Sequence, residues 1–120
     1  MTTTLIVCIK RRADLSPAQF SHHWREVHAP LLLACTPFSR HILRYEQFRM
    51  ADRNDGVAAL FGAAGGYDGV AAITFADAQS IAAAFQEEAY LSQVRPDEPN
   101  FIDLDNCLSF IGDGLCVKGS

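Results

Sequence analysis

Four histidines and four cysteines are the side chains of this 120-residue chain best suited to chemistry beyond packing and solvation. Three of the histidines, His22, His23 and His28, crowd one short segment. A metal cluster would need them three or four residues apart on one helical face, but adjacent residues face different sides and His23 and His28 are five apart. The cysteines, Cys8, Cys35, Cys107 and Cys116, show no Cys-x-x-Cys and no Cys/His pair at zinc spacing. Three of them stand in apolar runs, where a free thiol behaves as a small hydrophobe. They read as reduced and structural, which points to a cytoplasmic setting. That leaves acid–base work, because an imidazole titrates near neutral pH and can act first as base and then as acid. No metal site is expected, and nothing in the sequence calls for a cofactor.

His28 depends on the helix that must aim it. Ser16-Pro17 marks a helix start: the hydroxyl can accept a free N–H, proline suits the first helical position, and Gln19 completes a capping box. The helix is expected to run to about Cys35, with Pro30 kinking it or ending its first part. At regular helical spacing Phe20, Trp24, Val27 and Leu31 fall within about 60° of one another and form the core-facing stripe. His28 lies about 40° beyond Trp24, on the border of that stripe. His23 flanks the opposite edge, while His22, Glu26 and His41 read as surface residues.

The remaining elements follow from periodicity and breakers. Thr4 to Ile9 is a β-branched apolar run that reads as a strand ending at Lys10-Arg11-Arg12. Arg40 to Met50 alternates apolar and polar residues and reads as a second strand. Asp52 to Gly69 holds five of the eight glycines and reads as a long connection without regular structure. Its Gly62-Ala63-Ala64-Gly65-Gly66 run lacks a basic partner and is a weak phosphate site. Gly69 to Phe75 is the third strand, Asp77 caps a helix from Ala78 to about Tyr90, and Asp105 to Ile111 is the last strand. This order is the ferredoxin-like βαββαβ pattern of the α+β class, with two helices on one face of a four-stranded antiparallel sheet. The first and third strands are apolar on both faces, so the second face also needs cover. The expected solution is a homodimer packed sheet to sheet, with a pocket inside each half.

Length and composition agree with one domain over residues 1–120, 49% apolar and 20% charged. Ten Lys and Arg against fourteen Asp and Glu give a net charge of −4, the wrong sign for nucleic acid or an anionic membrane surface. No apolar run approaches a membrane span or a secretory leader. Dinucleotide, P-loop and nucleophile-elbow motifs are all missing from the sequence. A small molecule is the partner class left.

The residues from Lys10-Arg11-Arg12 through Ser16-Pro17-Ala18-Gln19-Phe20 to Trp24-Arg25-Glu26-Val27-His28-Ala29-Pro30-Leu31 resemble the signature of EthD-domain proteins. The acidic stretch Asp97-Glu98 before Phe101-Ile102-Asp103 resembles the family as well. Ala29 stands where many members have glycine, and the segment from Asp52 to Gly69 matches poorly. The resemblance implies a dimeric α+β barrel and chemistry of the kind seen in cofactor-independent polyketide cyclases, dehydratases, decarboxylases and a methylmuconolactone methylisomerase. By that likeness, His28 and Tyr45 would line the pocket. The isomerase also uses pocket thiols, but the third strand here carries Ala71, Ala72 and Ile73, which leaves histidine and tyrosine to move protons.

Such reactions begin or end with a proton moved at carbon or oxygen beside a carbonyl. His28 would be base and then acid, and the Tyr45 phenol would donate to a developing enolate. Asp97 or Glu98 could orient the imidazole, as a carboxylate does in a catalytic triad. His28, Tyr45 and Asp97 are thus the candidate catalytic residues, and His23, Trp24 and Glu98 the candidate substrate-binding ones, although Trp24 reads first as a core anchor. The function expected is a cofactor-independent lyase, cyclase or isomerase acting on a small aromatic, polyketide-like or lactone substrate. A carrier of a hydrophobic small molecule, or a cofactor-free oxygenase on the same barrel, is the alternative.

Overall fold

The computed structural model describes residues 2–51, 56–61 and 66–119. Four strands, β1 (Thr3–Ile9), β2 (Arg44–Arg49), β3 (Gly69–Phe75) and β4 (Leu108–Gly112), form one sheet in the order β2-β3-β1-β4. Every neighbouring pair is antiparallel. The helices are α1 (Pro17–His22), α2 (Ala29–Ala34), α3 (Thr36–Ser39), α4 (Val57–Phe61), α5 (Ala78–Gln86) and α6 (Glu88–Gln93). A π-helical segment, His23–His28, joins α1 to α2 without a break. The result is an α+β ferredoxin-like fold.

Both helix starts form as their sequences predict. Ser16 accepts from the Gln19 amide at 3.1 Å while the Gln19 side chain accepts from the Ser16 amide at 2.8 Å. Asp77 accepts from the Ser80 amide at 2.7 Å. Element ends differ where a local hydrogen bond competes. Thr36-Pro37 starts the extra helix α3, so β2 begins at Arg44 rather than Arg40. The second helical region breaks at Glu87, whose backbone turns extended between α5 and α6. The Glu87 carboxylate meets Arg40 at 2.9 Å and His41 at 3.4 Å, so His41 is half-buried rather than a surface residue. Asn106 donates to Asp103 at 2.7 Å around a 3-10 turn, Leu104–Asn106, and β4 starts only at Leu108. The connection expected to lack regular structure carries α4, while Gly62 to Gly65 lie outside the described residues.

Pairing register assigns the sheet's faces. Leu5 pairs with Ile73, Val7 with Ala71 and Tyr45 with Ile73, which puts the odd-numbered residues of β1, β2 and β3 on the helix-covered face. Ile9, Ala71, Ile73 and Phe75 are buried there with Phe20, Trp24, Phe38 and Tyr90. At Gly69 a Cβ would stand 2.7 Å from the Trp24 ring, so only glycine lets the indole lie against β3.

The helix stripe departs from the regular wheel. Val27 is 42% exposed and Leu31 only half-buried, while Phe20, Trp24, His28 and Leu32 are buried at intervals of four. The cause is the π segment, in which the Ala29 amide bonds Trp24 O five residues back. Pro30 has no N–H and its ring would crowd the carbonyl of Glu26 in a regular helix; the wider turn removes that conflict. Its extra residue shifts the phase and carries His28 from the border of the stripe to its centre.

Candidate active site

A cavity of about 390 Å³ lies between the covered face of the sheet and the helices, within the range of small-molecule sites. Val7, Ile73, Leu32 and Phe85 supply apolar wall, and His28 and Tyr45 both open onto it. Trp24 forms part of the wall and is also fully buried, so it serves as a core anchor with one edge on the cavity.

His28 is held from behind by Asp97. Its Nδ1 lies 3.0 Å from Asp97 Oδ2, and the His23 Nε2 reaches Oδ1 of the same carboxylate at 2.9 Å. Asn100 adds a third donor to Oδ1 at 3.1 Å. Burial by itself would raise the Asp97 pKa, but these bonds from Asn100, His28 and His23 together hold it below its ordinary value. An ionised carboxylate only accepts, so His28 carries its proton on Nδ1 and presents the Nε2 lone pair when neutral. Phe101 braces both rings, stacked on His23 at 4.7 Å and tilted against His28 at 4.9 Å. His23 does not line the cavity; it faces a shallow outer groove with His22 and Asn100.

Tyr45 stands on β2 with its hydroxyl accepting from Gln47 Nε2 at 3.0 Å. Burial raises its pKa, opposed in part by the bond from Gln47, so the phenol keeps its proton and can donate it.

The turn before β4 decides which acid goes where. Arg95–Asn100 is a 3-10 helix, and residues three apart eclipse one another in such a helix. Asp97 and Asn100 therefore share one side, where Asn100 bonds Asp97 and Asp97 meets the histidines, while Arg95 and Glu98 share another and line the cavity. Glu98 does not orient His28; it accepts a short hydrogen bond from the Tyr90 hydroxyl. The Arg95 guanidinium lies over the Tyr90 ring, 5.4 Å from its centroid. Burial first, and then the Glu98 carboxylate, push the Tyr90 hydroxyl well above its ordinary pKa. Sequence reasoning missed Tyr90 and Arg95 as cavity residues; the available signal was the paired three-residue spacing between Pro96 and Pro99.

Cys107 also lines the cavity. Its sulfur donates to Asp103 O at 3.2 Å and accepts from the Lys10 amide at 3.3 Å. Burial raises its pKa, so it stays a thiol. Among the described residues no group of His, Cys, Asp and Glu is arranged to hold a metal ion, and no helix is long and apolar enough to cross a membrane.

The EthD domain model matches residues 12–105, a span that includes the helix motif, Tyr45 and the acidic turn. The chain belongs to the EthD domain family. No curated protein matches this EthD chain. Among solved structures it is similar to an EthD family protein from Bacillus halodurans, with 16% identity, a TM-score of 0.67, and coverage of 96% of this chain and 100% of that one. It is also similar to SnoaB, a cofactor-independent oxygenase from Streptomyces nogalater, with 12% identity, a TM-score of 0.61, and coverage of 97% and 95%. A third structure, a dimeric protein of ferredoxin-like fold from Bacteroides fragilis, shows 10% identity, a TM-score of 0.62, and coverage of 94% and 96%.

Proposed function

We propose that this EthD protein is a cofactor-independent acid–base catalyst, a lyase, cyclase or isomerase of a small aromatic, polyketide-like or lactone substrate. The observation that carries this reading is His28, fixed through Nδ1 by Asp97 and facing an apolar cavity that Tyr45 shares. His28 Nε2 takes a proton from carbon or oxygen beside a substrate carbonyl, and the electron pair moves onto the carbonyl oxygen. The Tyr45 hydroxyl donates to that oxygen, whose negative charge it stabilises. The imidazolium, steadied by Asp97, then returns its proton to a leaving hydroxyl or to carbon. Phe101 and the apolar wall keep water from the ring.

The protein acts as a homodimer on this reading. Ile6, Val70 and Ala72 lie on the sheet face away from the helices, beside Phe48, Leu108 and Phe110, each about half exposed. A second copy packed on this face would cover that apolar surface, and the Bacteroides fragilis relative is described as dimeric.

The test is turnover of a panel of aromatic, polyketide-like and lactone compounds, followed by mass spectrometry, for the wild type and His28→Gln. Conversion by the wild type and its loss in the variant support the reading. Equal conversion by both removes His28 from the mechanism, and binding without conversion of any compound favours a carrier. The likeness to SnoaB makes oxygenase chemistry the second reading, and oxygen uptake coupled to conversion would select it.

A further inference from the structure

The cavity has a second polar station that the proton chemistry above does not use. Arg95, Glu98 and Tyr90 form it, and all three line the cavity. Arg95 is the one Lys or Arg among the lining residues that are described. Its guanidinium lies over Tyr90 within cation–π distance and shares a side-chain hydrogen bond with it, and the five N–H groups of a guanidinium leave further donors for a planar acceptor. Glu98 accepts the Tyr90 hydroxyl on Oε2, and Tyr90 is itself fixed between Phe38 at 4.7 Å and Phe85 at 5.0 Å. The carboxylate is thereby immobilised with Oε1 as its remaining acceptor oxygen.

A donor fork and an acceptor carboxylate, three residues apart on one 3-10 turn, make a two-point recognition site. The fork suits a carboxylate and the acceptor suits a hydroxyl. The aromatic and aliphatic wall between them and His28 suits a ring. We propose that the substrate of this site is a hydroxylated aromatic carboxylate, its acid held by Arg95 and its hydroxyl by Glu98. This assignment rests on the proposed function for the cavity as a small-molecule site, but it concerns binding and needs no turnover.

Trp24 is the only tryptophan in the chain and forms part of the cavity wall, so its fluorescence reports occupancy. The three monohydroxybenzoates are titrated against the protein, with their methyl esters and the matching methoxybenzoates as controls. At least one hydroxybenzoate isomer is expected to bind about tenfold more tightly than its methyl ester and its methoxy counterpart, the size of one charge-assisted hydrogen bond. Arg95→Met should weaken the acid about tenfold and leave the ester within about twofold, and Arg95→Lys should recover only part of the loss. Glu98→Met should abolish the preference for hydroxyl over methoxy, because it removes the acceptor oxygen.

Arg95 is largely exposed at the cavity rim, so its replacement leaves the core intact, and circular dichroism checks this. Absence of binding by all three acids, equal binding of acid and ester, or an unchanged acid affinity in Arg95→Met overturns the proposal. Those outcomes leave the role of His28 standing. Conversely, turnover unaffected by His28→Gln would remove the proposed mechanism without touching the two-point site.

Discussion

The two faces of the sheet are built from the same strands and nearly the same residue types, yet they have different fates. On β3, Ala71, Ile73 and Phe75 are sealed beneath the helices, while Val70, Ala72 and Thr74 remain half-buried on a face that no described element covers. Phe75 is fully buried and Phe110, on the opposite face, is 53% exposed. The difference shows that hydrophobicity alone does not state which face a chain closes for itself. Two helices at fixed places in a βαββαβ order can cover only one side. The covered side also fails to fill completely, and both His28 and Tyr45 line its residual space.

The contrast predicts effects of different kinds. The largest belongs to the cavity: His28→Gln is expected to lower turnover by about 10²–10⁴-fold with the fold unchanged, read by product formation beside circular dichroism. Next is Phe75→Ala on the covered face, which should cost about 3–5 kcal/mol at every protein concentration, measured by urea unfolding. Phe110→Glu on the open face should leave monomer stability within about 1 kcal/mol but convert dimer to monomer in analytical ultracentrifugation. A wild type that is monomeric at micromolar concentration would break the comparison. Ser16→Ala, far from both faces, should cost about 1 kcal/mol through loss of the capping box.

The smallest effect is a pH dependence. Asp97 has a folded-state pKa below its ordinary 3.8, so its contribution to stability is complete above that value and is lost as pH falls through the lowered one. The stability difference between the wild type and Asp97→Asn should therefore shrink as pH falls below the ordinary carboxylate value. A difference that stays unchanged below that value would show that Asp97 is not held ionised in the folded state.

Much of this was legible along the chain. The capping box at Ser16, the Asp77 cap, the four strands and the doubly apolar β1 and β3 depend on neighbours in sequence, where periodicity and local hydrogen bonding act. His28, Tyr45 and Asp97 were legible as candidates only through the EthD resemblance and the chemistry of their side chains. Less legible was the aim of those side chains. A regular wheel places Val27 and Leu31 inward, and the π segment before Pro30 replaces them with His28 and Leu32. Either Asp97 or Glu98 could have oriented the imidazole; the 3-10 turn sends the first to the histidines and the second to Tyr90.

By itself the sequence determined the order and type of the elements, their caps, and the surplus of apolar surface, because these arise from contacts within a few residues and from side-chain periodicity. Tertiary structure alone decided that His23, His28 and Asp97 converge across about seventy residues of chain, that Arg95 and Tyr90 join the same cavity, and which sheet face stays open. The reason is geometric. A phase shift of one residue, or a turn with three residues instead of 3.6, redirects a side chain by a large angle, and only packing against the rest of the fold selects among such alternatives.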